Sequence, residues 1–182
     1  AADQRFFKPT LCFEKVKCGR QVSGEVVFLF DIAIRPVRFV EVADQHLFGM
    51  LNLRGGEYAS EPALFLRKKY WTDGMAQMKK IRSDMEFMIV TDDVTMAHKL
   101  LPGIPAYHFP VHGDYVTVKN ARYLIISNSS FACFPAFTSE TVQKVIAPKY
   151  WARHNVSNGY WASEQNIYTG FEYLGRDGKL YD

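Results

Sequence analysis

With 182 residues, 48% of them apolar, the chain has the length of one ordinary domain and enough nonpolar material for a true core. Its 22 Lys and Arg stand against 19 Asp and Glu, and the resulting +3 is scattered, with no like-charge run beyond three, which argues against a nucleic-acid partner. The longest apolar stretch, 26–34, is broken by Asp31 and is about half of what a membrane span needs, and the three cysteines (Cys12, Cys18, Cys133) lack metal-ligand spacing, so no membrane span and a reducing, cytoplasmic setting are expected.

In chain order, residues 1–45 form an uncertain amino-terminal segment. Residues 26–30 and 37–42, rich in Val and Phe, read as strands separated by Pro36. From residue 46 to 150 the pattern is regular. Residues 46–53 predict a buried strand that ends in Arg54-Gly55-Gly56-Glu57, where two glycines stop regular structure. A helix is predicted over 66–81, with Tyr70 or Trp71, Met75, Met78 and Ile81 on one face. Residues 87–90 predict a strand buried on both faces, followed by Thr91-Asp92-Asp93, where Asp93 suits the cap of a helix to about Leu100.

Residues 106–109 predict a short strand, and Gly113-Asp114 precede a helix to about Asn120. Residues 123–126 predict another buried strand, ending in Ser127-Asn128-Ser129-Ser130. A helix over 131–140, limited by Pro135, and a strand over 142–147 complete the series. The remainder, 151–182, holds Trp151, Tyr160, Trp161, Tyr168, Phe171, Tyr173 and Tyr181. It predicts a mostly irregular, aromatic-rich tail wrapping the domain, with a turn at Arg176-Asp177-Gly178-Lys179.

Strands alternating with helices over about 100 residues predict an α/β fold, with a Rossmann-like, doubly wound, mainly parallel sheet. Ligands bind such sheets beyond the carboxyl ends of the strands. All three polar clusters follow predicted strands directly and are expected at that edge.

Each cluster has a chemical reading and an ordinary one. Arg54 beside Gly55 and Gly56 lets a guanidinium and bare N–H groups approach one anion, such as a diphosphate; the alternative is a turn with a solvated arginine. Ser127-Asn128-Ser129-Ser130, before a helix start, suits a phosphate or an ordinary cap. Of Asp92 and Asp93, one is expected to cap a helix and the other to face a ligand or accept a proton. Asn128 also opens an N-x-S pattern, as does Asn155, but placement after a buried strand argues against glycosylation at Asn128. The histidines (His46, His98, His108, His112, His154) have no paired spacing, so no metal site is expected, and His112 and Asp114 read as structural. No nucleophile elbow and no nucleotide-hydrolase phosphate loop is present.

Together, these segments resemble a known family. Asn52 to Tyr58 resembles the arginine motif, His-x-Arg-Arg/Gly-x-Asp/Glu, of α-1,2-, α-1,6- and protein O-fucosyltransferases. Phe87 to Asp93 is similar to their Phe-x-x-x-Ser/Thr-Asp-Asp segment. Tyr123 to Phe131 resembles their Asn-Ser-Ser-Phe segment, and 145–148 the strand after it. Order and spacing agree over about residues 47–151, with most similarity to the α-1,2 type of family 11.

The resemblance implies the nucleotide-sugar-binding domain of a GT-B glycosyltransferase. Such an enzyme transfers fucose from GDP-fucose to a glycan hydroxyl, with inversion and without a metal or other cofactor. Its partners would be a GDP-sugar donor and a glycan acceptor. It casts Arg54, Glu57, Asp92 and Asp93 as catalytic candidates, and Asn52, Arg54, Gly55, Gly56, Asn128, Ser129, Ser130 and Phe131 as donor-binding ones. Three departures stand out. Asn52 replaces the usual His, Phe134-Pro135 replaces Trp-Trp, and the family's Gly-Gly-Leu-Gly-Asn-Gln opening is absent from 1–45. A non-catalytic nucleotide-binding or interaction module is therefore the alternative, and an unrelated α/β protein with a partner-binding aromatic tail a weaker third.

Overall fold

A computed structural model describes residues 48–152, 154 and 168–181. The strands expected at 26–30 and 37–42, Cys12, Cys18, His46 and the Asn155 pattern lie outside the described residues.

Seven strands form one sheet in the order β3-β2-β1-β4-β5-β6-β7. They are β1 (Gly49–Leu53), β2 (Phe87–Thr91), β3 (Ala106–Tyr107), β4 (Tyr123–Ile126), β5 (Lys144–Pro148), β6 (Phe171–Leu174) and β7 (Leu180–Tyr181). The pairings from β3 across to β6 are parallel, and only β7 runs antiparallel. The helices are α1 (Lys68–Met78), α2 (Val94–Leu100), α3 (Val111–Lys119) and α4 (Ser130–Phe137), with one 3-10 turn at Glu57–Ser60. This is the expected Rossmann-like α/β architecture.

The central strands are mainly apolar because both faces of the sheet are covered. Leu51, Leu53, Ile89, Ile125, Ile146 and Leu174 pack with Tyr70, Trp71 and Met78 of α1 and Ala97 of α2. Met50, Val90, Leu124, Ile126, Val145 and Ala147 pack with Val118 of α3 and Ala132, Cys133 and Ala136 of α4. Successive residues of β1 and β4 alternate between these two cores, as the two-residue period of a strand requires. Burying each such aliphatic side chain contributes about 1.5–3 kcal/mol. Close packing also explains Gly74 on α1, where a Cβ would stand 3.1 Å from Ile125 Cγ2. Burial pushes the Cys133 thiol up to about 12, so it stays protonated as a small core residue.

Four local expectations are corrected. The first helix is shorter than 66–81: the chain turns after Met78, with Ile81 N–H donating to Met78 O, and Ile81 is 48% exposed. Gly113 and Asp114 lie inside α3 rather than before it, because Pro110 starts the helix and a carboxylate suits its first turn. The strand expected at 106–109 keeps only Ala106–Tyr107, since Phe109 N–H is taken by Asp114. The tail is not irregular over 171–181. Phe171, Tyr173 and Leu174 are buried as β6 against β5, and the expected turn joins β6 to β7, with Gly178 at φ 76°.

Candidate functional site

Sheet order reverses at β1, which has β2 on one side and β4 on the other. Connections therefore leave in opposite directions, and a crevice opens at the carboxyl ends of β1 and β4. Register fixes what meets there. Leu53 pairs with Thr91, which sets Arg54 beside Asp92. Asn52 pairs with Ile126 and its carbonyl accepts the Ser127 N–H at 3.0 Å, which sets the serine-rich turn along the other flank of Arg54.

The loop after β1 is organised around Asp92. Its Oδ1 accepts the Gly55 N–H at 2.7 Å, and its Oδ2 lies 3.1 Å from Arg54 Nη1. The anion shared by guanidinium and backbone N–H in this structure is thus a carboxylate of the chain itself. Both glycines are needed for that approach. A Cβ on Gly55 would stand 2.9 Å from the Asp93 Cβ, and one on Gly56 would stand 2.6 Å from Asp92 Oδ2. Arg54 also reaches Glu57 Oε1 at 3.3 Å, but the Glu57 side chain is 76% exposed, so this pair is weak. The Tyr58 ring lies 5.7 Å from the Arg54 guanidinium carbon.

Asp93 is the expected helix cap: its Oδ1 accepts the Met96 N–H at 2.9 Å, while its own N–H donates to Thr91 Oγ1. Asp92, with both oxygens engaged, is placed to orient Arg54 rather than to collect a proton.

In the turn after β4, Asn128 is a buried strut. Its amide donates to Leu64 O at 2.9 Å and Trp151 O at 2.6 Å, tying together the approaches to α1 and the exit from β5. Ser129 precedes α4 in extended backbone and its side chain makes no capping bond, while Ser130 is exposed. Phe131 packs edge-on against Tyr115 of α3, with ring centres 6.0 Å apart. Asn52 lies inside the sheet, 5% exposed, its amide 3.5 Å from Val90 O, and does not reach the edge.

Arg54, Gly55, Gly56, Asp92, Asp93, Asn128, Ser129 and Ser130 therefore share one edge, Glu57 stands outside it in solvent, and Asn52 lies beneath. Among the described residues, four buried polar side-chain atoms have no hydrogen-bond partner: Arg54 Nε, Ser127 Oγ, Asn128 Oδ1 and His154 Nδ1. All four belong to residues beyond the carboxyl ends of β1, β4 or β5, and unpaired buried polar atoms are uncommon enough to mark a place built for polar contact.

Two features went unread in the sequence. His108 Nδ1 lies 2.9 Å from Asp114 Oδ2, and Asp114 Oδ1 accepts the Phe109 N–H. Burial raises the Asp114 carboxyl above its usual range against these bonds, with the charge of Asp92 adding to the rise. Asp114 thus partners His108, not His112; a carboxylate in a helix's first turn just after a histidine was the available signal. Second, the Tyr70 hydroxyl donates to Ile126 O at 2.7 Å, where β4 and β5 part, and the buried His154 ring stands edge-on to it at 5.3 Å. Burial lowers His154 to about 4, helped by Arg176 and Lys69. No spacing in the sequence connects residues so far apart.

Among the described residues no three His, Cys, Asp or Glu side chains gather as metal ligands, and no helix is long and apolar enough to cross a membrane. No model of a known protein family matches the chain, and no curated protein matches it either.

Proposed function

We propose that this chain is the nucleotide-sugar-binding domain of a glycosyltransferase that moves fucose, or a related sugar, from a GDP-sugar to a glycan hydroxyl with inversion. The observation that supports this reading is that Arg54 follows β1 and Ser127–Ser130 follow β4, two neighbouring parallel strands held in register. A diphosphate there would meet the guanidinium on one side and the first N–H groups of α4, with Ser129 and Ser130, on the other. Asp92 holds Arg54 in place, and the exposed Glu57 gives way to phosphate at little cost because its ion pair is solvent-screened.

In this reading the chemistry is direct displacement at the anomeric carbon. The leaving diphosphate gathers negative charge as the glycosidic bond breaks, and Arg54 with the helix terminus stabilises that charge. No metal or other cofactor takes part. Glu57 is the carboxylate free enough to take the acceptor proton once phosphate has replaced it on Arg54. The test is a thermal-shift and calorimetric screen of nucleotides. GDP and GDP-sugars should raise the melting temperature and UDP should not; no response to any nucleotide would sink the proposal.

A second reading has its own support. Asp92 already fills the place of an anion between Arg54 and Gly55, an arrangement that suits a non-catalytic module whose loop is locked shut. GDP binding without transfer or donor hydrolysis by the purified chain would favour that module.

A further inference from the structure

The carboxyl edge carries a second polar pair one strand beyond Asp92. β3 runs parallel to β2 and Tyr107 pairs with Val90, so His108 leaves the sheet beside Thr91. Pro110 then starts α3 and brings Asp114, in the first turn, back onto the loop. Asp114 Oδ1 accepts the Phe109 N–H at 2.8 Å, and Oδ2 stands 2.9 Å from His108 Nδ1. The carboxylate side chain is 7% exposed and the imidazole 51%. One ring nitrogen is thus clamped by a buried acid, while no hydrogen bond among the described residues engages Nε2. The charge of Asp92 acts on Asp114, which sets this pair beside the Arg54–Asp92 contact.

We propose that His108 is the general base of this edge, taking the proton of the hydroxyl that attacks the donor sugar, with Asp114 as its positioning residue. The proposal deepens the transferase reading and rests on it. Inversion brings the hydroxyl to the face of the sugar opposite the leaving group. The diphosphate in that reading lies at β1 and β4, whereas β3 is on the other side of β1, two strand spacings or about 10 Å away. That interval leaves room for one sugar ring between the diphosphate and His108. Glu57 pairs with Arg54 and so stands on the leaving-group side, where it meets the hydroxyl less directly. As the bond from the anomeric carbon to the diphosphate oxygen breaks, its electron pair stays with the diphosphate. The acceptor oxygen bonds to that carbon, and its proton passes to Nε2. Asp114 balances the imidazolium so formed, which later yields its proton to water. In the neutral ring the same carboxylate holds the proton on Nδ1 and leaves the Nε2 lone pair free.

The experiment measures fucose release from GDP-fucose by the full chain, with water as acceptor, beside calorimetry with GDP. A general base contributes about 10²–10⁴-fold, so His108→Ala should lower kcat about a hundredfold or more and leave GDP affinity within about threefold. Added imidazole should restore at least about tenfold of the lost rate, which it would not do for a purely structural histidine. Asp114→Asn keeps an oxygen for the Phe109 N–H and turns an amide N–H toward Nδ1, which moves the ring proton to Nε2. Its kcat should fall about as far, with KM for GDP-fucose within about threefold and no rescue by imidazole. If Asp114→Asn fails to fold, the half-exposed His108 still decides. Undiminished release by His108→Ala, a loss that imidazole does not restore, or a loss confined to Glu57→Gln overturns the base. GDP binding without fucose release by the unaltered chain overturns it too and leaves a binding module. Absence of any nucleotide binding removes the transferase reading and the base with it, whereas an active chain indifferent to His108 removes the base alone.

Discussion

Asp92 holds Arg54 from two directions, with one oxygen 3.1 Å from Nη1 and the other accepting the N–H of the next residue, Gly55, at 2.7 Å. The pair fixes both where the guanidinium sits and how the loop after β1 leaves the sheet. Asp92→Asn keeps the shape, removes the charge and sets an amide N–H against one of these donors. Hydrogen bonds to charged groups contribute about 1.5–3 kcal/mol, so urea denaturation should report a loss in that range. An unaltered midpoint would mean that the loop is held by something else.

Arg54 and Glu57 should behave as opposites. Losing the guanidinium in Arg54→Ala removes a charge-assisted contact to phosphate and should weaken GDP about tenfold to a hundredfold. Glu57→Gln frees that guanidinium from an exposed partner, so stability should move by less than about 0.5 kcal/mol and GDP should bind at least as tightly. Calorimetry on both variants decides the matter: equal affinities would place phosphate away from Arg54.

Tyr70→Phe deletes one oxygen from a filled core. The Ile126 carbonyl, beyond the last β4–β5 pair, then loses its 2.7 Å donor in a site that water does not reach. Leaving a buried acceptor unpaired costs about 1–3 kcal/mol, measurable as a lower melting temperature. A variant as stable as the original would show that the carbonyl finds another donor.

His154 makes stability depend on pH in a definite window. Its ordinary value of 6.5 falls to about 4 in the folded chain, chiefly through burial and then through the positive charges of Arg176 and Lys69. Between those values the unfolded chain takes up a proton that the folded one refuses. The contribution is complete above about pH 6.5 and drains away as pH falls toward 4, by about 3 kcal/mol in all at ~1.4 kcal/mol per unit. Asp114, whose carboxyl is raised, acts with the opposite sign at acid pH and is common to any pair compared. His154→Leu should flatten the slope of unfolding free energy between pH 7 and 5, and parallel slopes would clear His154 of the effect.

The central strands and their polar endings were legible because a buried parallel strand declares itself twice. It is an unbroken apolar run, and it stops at residues that cannot continue it, as at Thr91-Asp92-Asp93 and Ser127-Asn128. From three such endings the shared edge followed. What each residue does there did not follow, because that depends on neighbours remote in sequence. Asn128 looked like a ligand contact and is a strut between Leu64 and Trp151, and the double glycine looked like a phosphate approach and admits Asp92. β6 escaped notice because Phe-Glu-Tyr-Leu is too short for a period to show. Its identity as a strand comes from β5 alongside it rather than from its own residues.

The described sheet ends on both sides in strands of only two residues, Ala106–Tyr107 and Leu180–Tyr181. Among the described residues each margin offers only a short border for pairing, and β7 runs antiparallel to β6 on its side. Of the described strands, release of β7 would open the longer border of β6, which makes it the event to watch for fibril formation under agitation or mild heat.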